Sequence, residues 1–341
     1  MPKKIVLAVG GSGGHLFPAT VLARQIQGEV LFMGAGLKHS FFFRQSEFSY
    51  RDIPSASFRK KNPIAFIRSM SHLFLGTCKS LFHLRREKVD LVIGFGSFHS
   101  FPILLAATLL RIPRLLFEAN CSLGKVNTFF SYFSKVVSQF PIPDAVQVQR
   151  LPWNNPKKLS SQEAKKKLGL QPDIFTIFIF GGSQGAVFIN GLAIQVLQKL
   201  DTTLQVIHLT GSERAAEEVK KVYDALSLTS YVKPFKKEMF ILYAACDLVF
   251  SRSGASTISE LIYFEKGAIL IPYPYAGGHQ EANARFLEKI GGAIVFVQKE
   301  VTIDDLTSKL REISSKTLAA NIRAFKEQEK ALPHLLDLIY E

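Results

Sequence analysis

Short apolar runs recur along the chain, and each leads into a loop containing glycine and then into a stretch with helix-like periodicity. Runs of this kind are typical of buried strands, and strands that alternate with helices form parallel sheets covered by helices. The pattern therefore predicts an α/β fold. The predicted strands are Ile5–Val9, Val30–Met33, Leu91–Ile93, Leu115–Phe117, Phe175–Phe180, Gln205–Leu209, Leu248–Phe250 and Ala268–Ile271.

Two of these units share one design. Ile5–Val9 leads into the glycine-rich loop Gly10–Gly14, and 171 residues further on Phe175–Phe180 leads into the loop Gly181–Gly185. The distance is half the chain, so the repeat predicts two similar domains rather than one.

A hinge is predicted between the two units. Residues 141–156 are rich in proline and asparagine and lack a helical period, which is typical of a linker. We expect two Rossmann-like domains, residues 1–150 and 151–321, whose parallel sheets face each other across a cleft. Residues 322–341 have a helical pattern and could pack back on the first domain.

Composition excludes several classes of protein. The 341 residues are 47% hydrophobic and 21% charged, which excludes a disordered chain or a collagen-like fibre. No apolar run reaches the roughly 18 residues of a membrane span, and the apolar run at the N-terminus is too short for a signal peptide. Cys78, Cys121 and Cys246 form no CxxC pair and are expected to be packing residues. These features predict a cytoplasmic protein with no membrane-spanning segment.

Charge is distributed unevenly along the chain. Residues 1–150 contain 19 Lys and Arg against 7 Asp and Glu, whereas residues 151–341 contain 23 against 21. A one-sided positive field indicates an anionic partner for the first half. Nucleic acid, an acidic membrane surface and a phosphorylated substrate all remain open on charge alone.

One stretch of the first half combines positive charge with apolar residues. Arg59–Lys88 contains eight Lys and Arg and a single acid, interleaved with Ile, Leu, Phe and Met. A basic, apolar helix pair would fit the face of an acidic membrane, although the apolar residues could instead fill the core. Nucleic acid is disfavoured because no recognised binding fold is present. The candidate membrane residues are Lys60, Lys61, Ile64, Ile67, Phe74, Phe82, Arg85 and Arg86.

Three loops follow predicted strands and could hold anions. Gly10–His15 and Gly181–Ala186 each place free backbone N–H groups before a helix, although a purely structural turn would need the same glycines. The first loop is neither a dinucleotide fingerprint, because Leu16 interrupts GxGxxG, nor a Walker loop. Gly94–Ser100 is a third and weaker candidate.

Two later segments offer groups that suit a sugar nucleotide. Ser251–Glu260 opens a helix with small hydroxyl residues, and the Glu260 carboxylate could accept hydrogen bonds from both ribose hydroxyls or could simply cap the helix. Gly277–Ala284 supplies amide groups for sugar hydroxyls, with a polar helix cap as the alternative.

With these loops in this order, the sequence resembles the MurG family over nearly its whole length. The stretches that carry the resemblance are Gly10–Ala19, Gly181–Ala186, Ser251–Glu260, His279-Gln280 and Asn283-Ala284. The resemblance implies a GT-B fold and an inverting transfer of N-acetylglucosamine from UDP-N-acetylglucosamine to the C4 hydroxyl of the N-acetylmuramyl sugar in lipid I. The products are lipid II, a peptidoglycan precursor, and UDP.

The resemblance also implies roles for individual residues. His15 is the candidate base, with Glu118 as a weaker candidate, and Gly94, Gly96, Ser97 and Phe98 lie on the acceptor side. Phosphate is expected at Ser183, ribose at Glu260, the sugar hydroxyls at Gln280 and uracil near Phe235–Met239. The implied donor-binding residues are Ser12, Gly13, Gly14, Asn120, Gly182, Ser183, Gln184, Phe235, Lys236, Met239, Arg252, Gly254, Ala255, Ser256, Thr257, Ile258, Ser259, Glu260, His279, Gln280 and Asn283.

The sequence departs from the family pattern in the first half. Phe117-Glu118-Ala119-Asn120 stands where the family has His-Glu-Gln-Asn, and Asn154 replaces a family arginine. A related transferase with another lipid-linked acceptor, or a silent nucleotide-sugar-binding scaffold, are therefore the alternatives. The implied partners are UDP-N-acetylglucosamine, lipid I and the anionic cytoplasmic face of the bacterial inner membrane, with no nucleic acid and no bound metal.

Overall fold

The computed structural model describes residues 3–10, 13–40, 43–56, 63–151, 159–182 and 185–340. The chain forms two compact units, one comprising residues 1–154 with 331–341 and the other residues 155–330. The division falls four residues after the hinge position that the sequence indicates. Ser12, Lys60, Lys61, Asn154, Ser183 and Gln184 lie outside the described residues.

The described part of the first unit contains a parallel sheet of seven strands in the order β3-β2-β1-β4-β5-β6-β7. The strands are β1 (Lys4–Gly10), β2 (Glu29–Ala35), β3 (Ser49–Asp52), β4 (Leu91–Gly94), β5 (Arg114–Glu118), β6 (Lys135–Ser138) and β7 (Val146–Gln147). The helices are α1 (Gly13–Ala23), α2 (Pro63–Arg86), α3 (Phe101–Leu109) and α4 (Lys125–Ser131), with α13 (Leu335–Tyr340) at the end of the chain.

The described part of the second unit contains a parallel sheet of six strands in the order β10-β9-β8-β11-β12-β13. The strands are β8 (Thr176–Phe180), β9 (Gln205–Leu209), β10 (Ser230–Lys233), β11 (Leu248–Ser251), β12 (Ala268–Leu270) and β13 (Ala293–Val295). The helices are α5 (Ser161–Lys167), α6 (Val187–Lys199), α7 (Glu213–Ala225), α8 (Met239–Ala245), α9 (Ala255–Phe264), α10 (His279–Lys289), α11 (Ile303–Glu312) and α12 (Ser315–Glu329).

Both faces of each sheet are covered, which explains why the central strands are apolar without alternation. In β1, Ile5, Leu7 and Val9 belong to one core cluster, while Val6 and Ala8 belong to another on the opposite face. Successive side chains of a strand point to opposite faces, so a sheet buried on both sides needs apolar residues at every position. The predicted α/β fold is confirmed.

Five strands escaped the sequence analysis: β3, β6, β7, β10 and β13. Each is two to four residues long and lies at or next to the edge of its sheet. Four of them contain polar or charged residues, and β13 has only three residues, so none stands out as a long apolar run. Strand length and composition explain the omission.

The end of the chain is shared between the units. Ile322 lies in α12 and is buried in the second unit, whereas Leu335 and Ile339 of α13 lie in the core of the first. The Tyr340 hydroxyl accepts a hydrogen bond from the Gln27 backbone N–H at 2.7 Å. Residues 331–341 therefore belong to the first unit and residues 322–330 to the second, and Pro333 lies between the two helices.

Arg59–Lys88 was expected to form a helix pair, but the structure has one 24-residue helix, α2, from Pro63 to Arg86. It contains no proline after its first residue and no internal turn signal, so nothing interrupts the helix. None of the helices in the described ranges is long and apolar enough to cross a membrane.

Candidate functional site

Each sheet has a point at which the strand order changes direction. In the first sheet β1 lies beside β4, with β2 and β3 on one side and β5 on the other, and in the second sheet β8 lies beside β11 in the same way. Ligands of open α/β sheets bind outside the carboxyl ends of the strands at this point. The loops after β1, β4, β8 and β11 are therefore the first places to look, and they are the glycine- and serine-rich loops of the sequence.

The glycine-rich motif after β1 runs into a helix. Helix α1 begins at Gly13, so Gly13, Gly14 and His15 form its first turn. The first N–H groups of a helix have no partner within it, and the helix dipole makes this end favourable for an anion. His15 is half-buried beside the carboxyl end of β1.

The loop after β4 packs against the end of β1. A side chain at Gly10 would bring its Cβ to 3.0 Å from His99 Cδ2 and 3.1 Å from Ser97 Oγ, so a larger residue there would push on this loop. Gly96 and Ser97 both have positive φ, 75° and 72°, and the Ser100 hydroxyl donates to their carbonyl groups. Burial lowers the pKa of His99, which keeps its imidazole neutral near pH 7.

Gly94, Gly96, Ser97 and Phe98 accordingly lie together with Gly13, Gly14 and His15 at the carboxyl edge of the first sheet. The acceptor-side residues of the sequence prediction thus share one edge of the first unit. Their contact with a substrate remains a prediction.

Glu118 closes β5 with a carboxylate that is only 4% exposed and carries four hydrogen bonds. Its Oε1 atom accepts from the backbone N–H and the side-chain amide of Asn120, and its Oε2 atom accepts from the Gly124 N–H and from Asn127 Nδ2. A carboxylate with this many donors is a structural group that shapes the β5–α4 turn. Glu118 therefore positions Asn120 and is poorly placed to accept a proton from a substrate.

The described glycines that follow β8 have backbone conformations that suit glycine. Gly182 and Gly185 have positive φ, and a Cβ at Gly185 would lie 2.2 Å from the Thr210 carbonyl oxygen, so Gly185 packs tightly on the residue that follows β9. Helix α6 begins at Val187, directly after this loop. The expected phosphate contacts of Ser183 and Gln184 lie outside the described residues.

Arg252 is buried at the end of β11 and connects three segments of the second unit. Its Nη1 atom donates to the carbonyl groups of Ile271 and Pro272 at 3.0 and 3.2 Å, and its guanidinium lies 5.5 Å from the Phe188 ring and 5.4 Å from the Tyr273 ring. These contacts tie the end of β11 to the start of α6 and to the segment after β12. The structure thus gives Arg252 a framework role beside the predicted donor site.

The start of α9 presents the N–H groups of its first turn. Gly254 caps the helix and Ala255, Ser256 and Thr257 form its first turn, whereas the Ile258 N–H donates to the Gly254 carbonyl at 3.0 Å. The Ile258 side chain is fully buried. The implied donor-binding role of Ile258 stays a prediction, and the helix already uses its N–H group.

Glu260 lies in the middle of α9, and its carboxylate faces Tyr243 of α8. The Tyr243 hydroxyl donates to Glu260 Oε2 at 2.5 Å, and within the described ranges Oε1 has no hydrogen-bond partner. Burial raises the pKa of Glu260 to about 7, although the hydrogen bond from Tyr243 acts in the opposite direction. A capping role is excluded because the residue is not in the first turn. One oxygen is already occupied, so the expected bidentate contact with ribose depends mainly on Oε1.

The start of α10 is joined to the loop after β11. The Ser253 hydroxyl donates to the Gln280 carbonyl at 2.7 Å, and Asn283 Nδ2 donates to the Ser253 carbonyl at 3.0 Å. The Tyr273 N–H donates to Gln280 Oε1, which orients the amide so that its Nε2 atom is the group left for a sugar hydroxyl. Asn283 is fully buried. It therefore supports the loop rather than contacting a ligand, while His279 forms the first residue of α10.

The predicted uracil residues lie beyond the carboxyl end of β10. Phe235 is partly exposed, Lys236 Nζ lies 3.5 Å from Glu238 Oε2, and Met239 begins α8. Because α8 also carries Tyr243, this segment and Glu260 belong to the same part of the second unit. An exposed aromatic ring here can stack on a base.

Helix α2 has an unusual solvent face. Its buried side carries Leu73, Gly76, Ser80 and Leu84, whereas its exposed side is strongly apolar. Surface helices normally place polar residues on the solvent side. Its exposed large apolar residues, with their exposed fractions, are Ile64 at 78%, Phe66 at 41%, Ile67 at 67%, Met70 at 43%, Phe74 at 70%, Leu75 at 53% and Phe82 at 59%.

Positive charge lies on the same helix. The Arg86 guanidinium lies over the Phe82 ring at 5.9 Å, and Arg85 lies beside it in the last turn of α2. Cys78 is exposed on this helix, so its assignment as a packing residue was wrong, whereas Cys246 is buried. Among the described residues no cluster of three or more His, Cys, Asp or Glu side chains could hold a metal ion.

Sequence reasoning missed Tyr243 and the network around Glu118. Tyr243 stands in the apolar run Met239–Ala245, where nothing local distinguishes it from a core aromatic residue. Asn127, which binds Glu118, lies nine positions further along the chain inside α4. Both contacts depend on elements that meet only in the folded domain.

Comparisons with known proteins agree with the motifs. Residues 5–139 match the model of the glycosyltransferase family 28 N-terminal domain and residues 176–338 that of the glycosyltransferase family 28 C-terminal domain. A curated UDP-N-acetylglucosamine--N-acetylmuramyl-(pentapeptide) pyrophosphoryl-undecaprenol N-acetylglucosamine transferase of Protochlamydia amoebophila is 36% identical, with 88% of this chain and 84% of that protein covered. The protein of the same name from Chlamydia felis is 37% identical, with 97% and 93% covered.

Solved structures show the same architecture. MurG of Acinetobacter baumannii superposes with a TM-score of 0.75 at 26% identity and covers 98% of this chain and 96% of its own. The glycosyltransferase VinC has a TM-score of 0.69 at 16% identity, with 98% and 97% of the two chains covered, and supports the fold alone.

Proposed function

This chain belongs to the MurG family of glycosyltransferases, and we propose from that premise how its two units divide the reaction. The family resemblance, the GT-B fold and the transferase activity predicted from the sequence are confirmed by the relatives and the family models. The chain transfers N-acetylglucosamine from UDP-N-acetylglucosamine to N-acetylmuramyl-(pentapeptide) pyrophosphoryl-undecaprenol, which is lipid I. The product is lipid II, an intermediate of peptidoglycan biosynthesis.

The second unit binds the donor. The observation that carries this proposal is the buried Glu260, whose Oε1 atom has no hydrogen-bond partner among the described residues. Ribose hydroxyls would satisfy this oxygen, and the N–H groups of Ala255, Ser256 and Thr257 at the start of α9 would face the diphosphate. Gln280 Nε2 would donate to a hydroxyl of N-acetylglucosamine, and Phe235 would stack on uracil.

The first unit binds the acceptor sugar and supplies the base. The C4 hydroxyl of the acceptor attacks the anomeric carbon of the donor, the bond from that carbon to the UDP oxygen breaks, and His15 takes the hydroxyl proton. His15 suits this role because it lies in the first turn of α1 beside the loop Gly94–Ser100. The positive end of α9 offsets charge on the departing diphosphate, so the proposal needs no bound metal.

The exposed face of α2 would meet the membrane. Lipid I is tethered to the bilayer by its isoprenoid chain, so the acceptor domain must approach the lipid surface. Ile64, Ile67, Phe74 and Phe82 would enter the interfacial region while Arg85, Arg86 and the two lysines before the helix attract anionic lipids. This arrangement supports a peripheral location on the anionic cytoplasmic face of the inner membrane, without nucleic acid as a partner.

A direct assay tests the activity. The purified chain is incubated with radiolabelled UDP-N-acetylglucosamine and lipid I in detergent, and radiolabelled lipid II is expected. Parallel reactions with other polyprenyl-linked and diacylglycerol acceptors serve as controls. Transfer to one of these in preference to lipid I would contradict the assigned acceptor. Donor binding without transfer to any acceptor would contradict the assignment of the chain as a transferase.

A further inference from the structure

We propose that Tyr243 is a positioning residue of the donor site: its hydroxyl holds Oε2 of Glu260, so that Oε1 is presented to the ribose of the donor nucleotide. The inference rests on the proposed function, because it assigns the ligand of Glu260. It adds a residue of α8 that would set the donor affinity without touching the donor.

Tyr243 is held in place by three aromatic side chains. Its ring stacks on Phe264 with centroids 4.8 Å apart and an interplanar angle of 9°, and it meets Phe178 edge-on at 5.4 Å and 82°. Phe180 approaches at 6.3 Å and 89°. Three contacts from β8 and α9 leave the fully buried ring no room to turn, so the direction of its hydroxyl is set by packing.

The geometry of α9 explains why this ring meets Glu260. Glu260 and Phe264 are four residues apart on one helix, so their side chains lie on the same face. The Tyr243 ring covers Phe264 while its hydroxyl reaches the carboxylate one turn earlier. Burial, followed by the nearby Glu260, raises the pKa of Tyr243 well above its usual value, so the phenol stays protonated and acts as a donor.

A carboxylate held at one oxygen is well prepared to bind a diol. Without the phenol, Glu260 would be a buried carboxylate with neither oxygen fixed, and its side chain would be free to change rotamer before a ligand arrives. With the phenol in place, the second oxygen keeps its direction, and binding costs less conformational entropy.

The test is Tyr243→Phe, which keeps the ring and its aromatic contacts but removes the hydroxyl. Binding of UDP and of 2′,3′-dideoxy-UDP is measured by calorimetry, because only the first offers ribose hydroxyls. The wild-type chain should prefer UDP by at least about tenfold, the lower end of the value of a hydrogen bond to a charged group. The variant should lose most of this preference and show a donor KM raised by about tenfold with kcat changed less than threefold.

Tyr223→Phe is the matched control. Tyr223 is the other fully buried tyrosine of the second unit, and its hydroxyl contacts His208 Nδ1 at 2.8 Å instead of a carboxylate. This variant should keep the preference for UDP. Glu260→Gln should lower the preference as far as Tyr243→Phe does, and the double variant should lower it no further.

The outcomes separate the two levels of the argument. A wild-type chain that does not bind UDP would overturn the proposed function and this inference with it. If the wild-type chain prefers UDP to 2′,3′-dideoxy-UDP and the Tyr243→Phe variant shows the same preference, the positioning role alone is overturned. Equal losses in Tyr243→Phe and Tyr223→Phe would also overturn it, because a general loosening of the domain would then explain the result.

Discussion

Glu118 and Glu260 are both nearly buried carboxylates, one in each unit, yet their surroundings differ. Glu118 accepts four hydrogen bonds from N–H donors of the β5–α4 turn, whereas Glu260 accepts a single one, from the Tyr243 hydroxyl. The pKa of Glu260 is raised to about 7, mainly by burial. Burial alone therefore does not identify a carboxylate that binds a ligand.

The number of donors separates the two roles. A carboxylate whose oxygens are filled by the protein stabilises its own loop and has little left for a ligand. A buried carboxylate with one donor is destabilised in the free protein and gains when a ligand supplies the missing hydroxyl groups. Under the proposed function, Glu118 shapes a turn on the acceptor side and Glu260 binds the donor.

The largest expected effects come from removing one proposed functional side chain from each unit, because the two variants should then affect different kinetic parameters. His15→Ala should lower kcat by about 10²–10⁴-fold, the usual contribution of a general base, and leave the donor affinity unchanged. Glu260→Ala should weaken UDP-N-acetylglucosamine binding by about 1.5–3 kcal/mol. Steady-state kinetics and calorimetry on both variants provide the check. A loss of only a few-fold in kcat for His15→Ala would redirect the search for the base to His99.

The second prediction concerns the charge difference between the units. Changing Lys60, Lys61, Arg85 and Arg86 to Glu should weaken binding to anionic vesicles by at least about a thousandfold, since each basic residue near such a surface contributes about 1 kcal/mol and the new carboxylates are repelled by it. Added salt should have the same effect. Changing four exposed lysines of the second unit, Lys167, Lys221, Lys289 and Lys316, is the matched control. Vesicle flotation that responds equally to both sets, or to neither, would contradict the membrane role of α2.

The third prediction compares the two carboxylates in stability. Glu118→Ala should lower the free energy of unfolding by about 3 kcal/mol, because it leaves several buried or half-buried N–H groups without an acceptor. Glu118→Gln should cost less, because one carbonyl oxygen remains. Glu260→Ala should cost clearly less than Glu118→Ala. Urea unfolding at pH 7 measures the free energy of unfolding of all three variants. Equal losses for the two alanine variants would contradict the different roles of Glu118 and Glu260.

The smallest predicted effect is the part of the pH dependence of stability that Glu260 causes. Its pKa is about 7 in the folded chain and near 4.5 when unfolded, so the folded state binds the proton more tightly. Its contribution to stability is therefore present below pH 4.5 and lost as pH rises through about 7. Between pH 5.5 and 8.5 the wild type should lose about 2 kcal/mol relative to Glu260→Gln. A constant difference in urea midpoints between the two proteins would show an ordinary pKa for Glu260.

The sequence alone was enough to predict the architecture. Apolar runs, glycine loops and helix periodicity are local properties, and two similar strand-loop units half a chain apart predicted two Rossmann-like α/β domains. The GT-B type was implied by the resemblance to the MurG family. The same motifs indicated that His15 and Gln280 stand at helix starts, whereas Glu260 lies in the middle of α9. These positions follow from chain order, because successive parallel strands bring their following loops to one edge of a sheet.

Only the tertiary structure decided what each group can do. Glu260 is left with one acceptor oxygen because Tyr243, 17 positions earlier, is locked among rings of β8 and α9. Glu118 becomes structural because Asn127 of α4 folds back onto it, and Ile258 loses its free N–H to the Gly254 carbonyl. The sequence favoured a membrane face for the apolar residues of α2 and left core filling open, and their exposure depends on which side of the helix packs against the rest of the first unit. Hydrogen-bond partners and solvent exposure arise between elements, and no local pattern of residues encodes them.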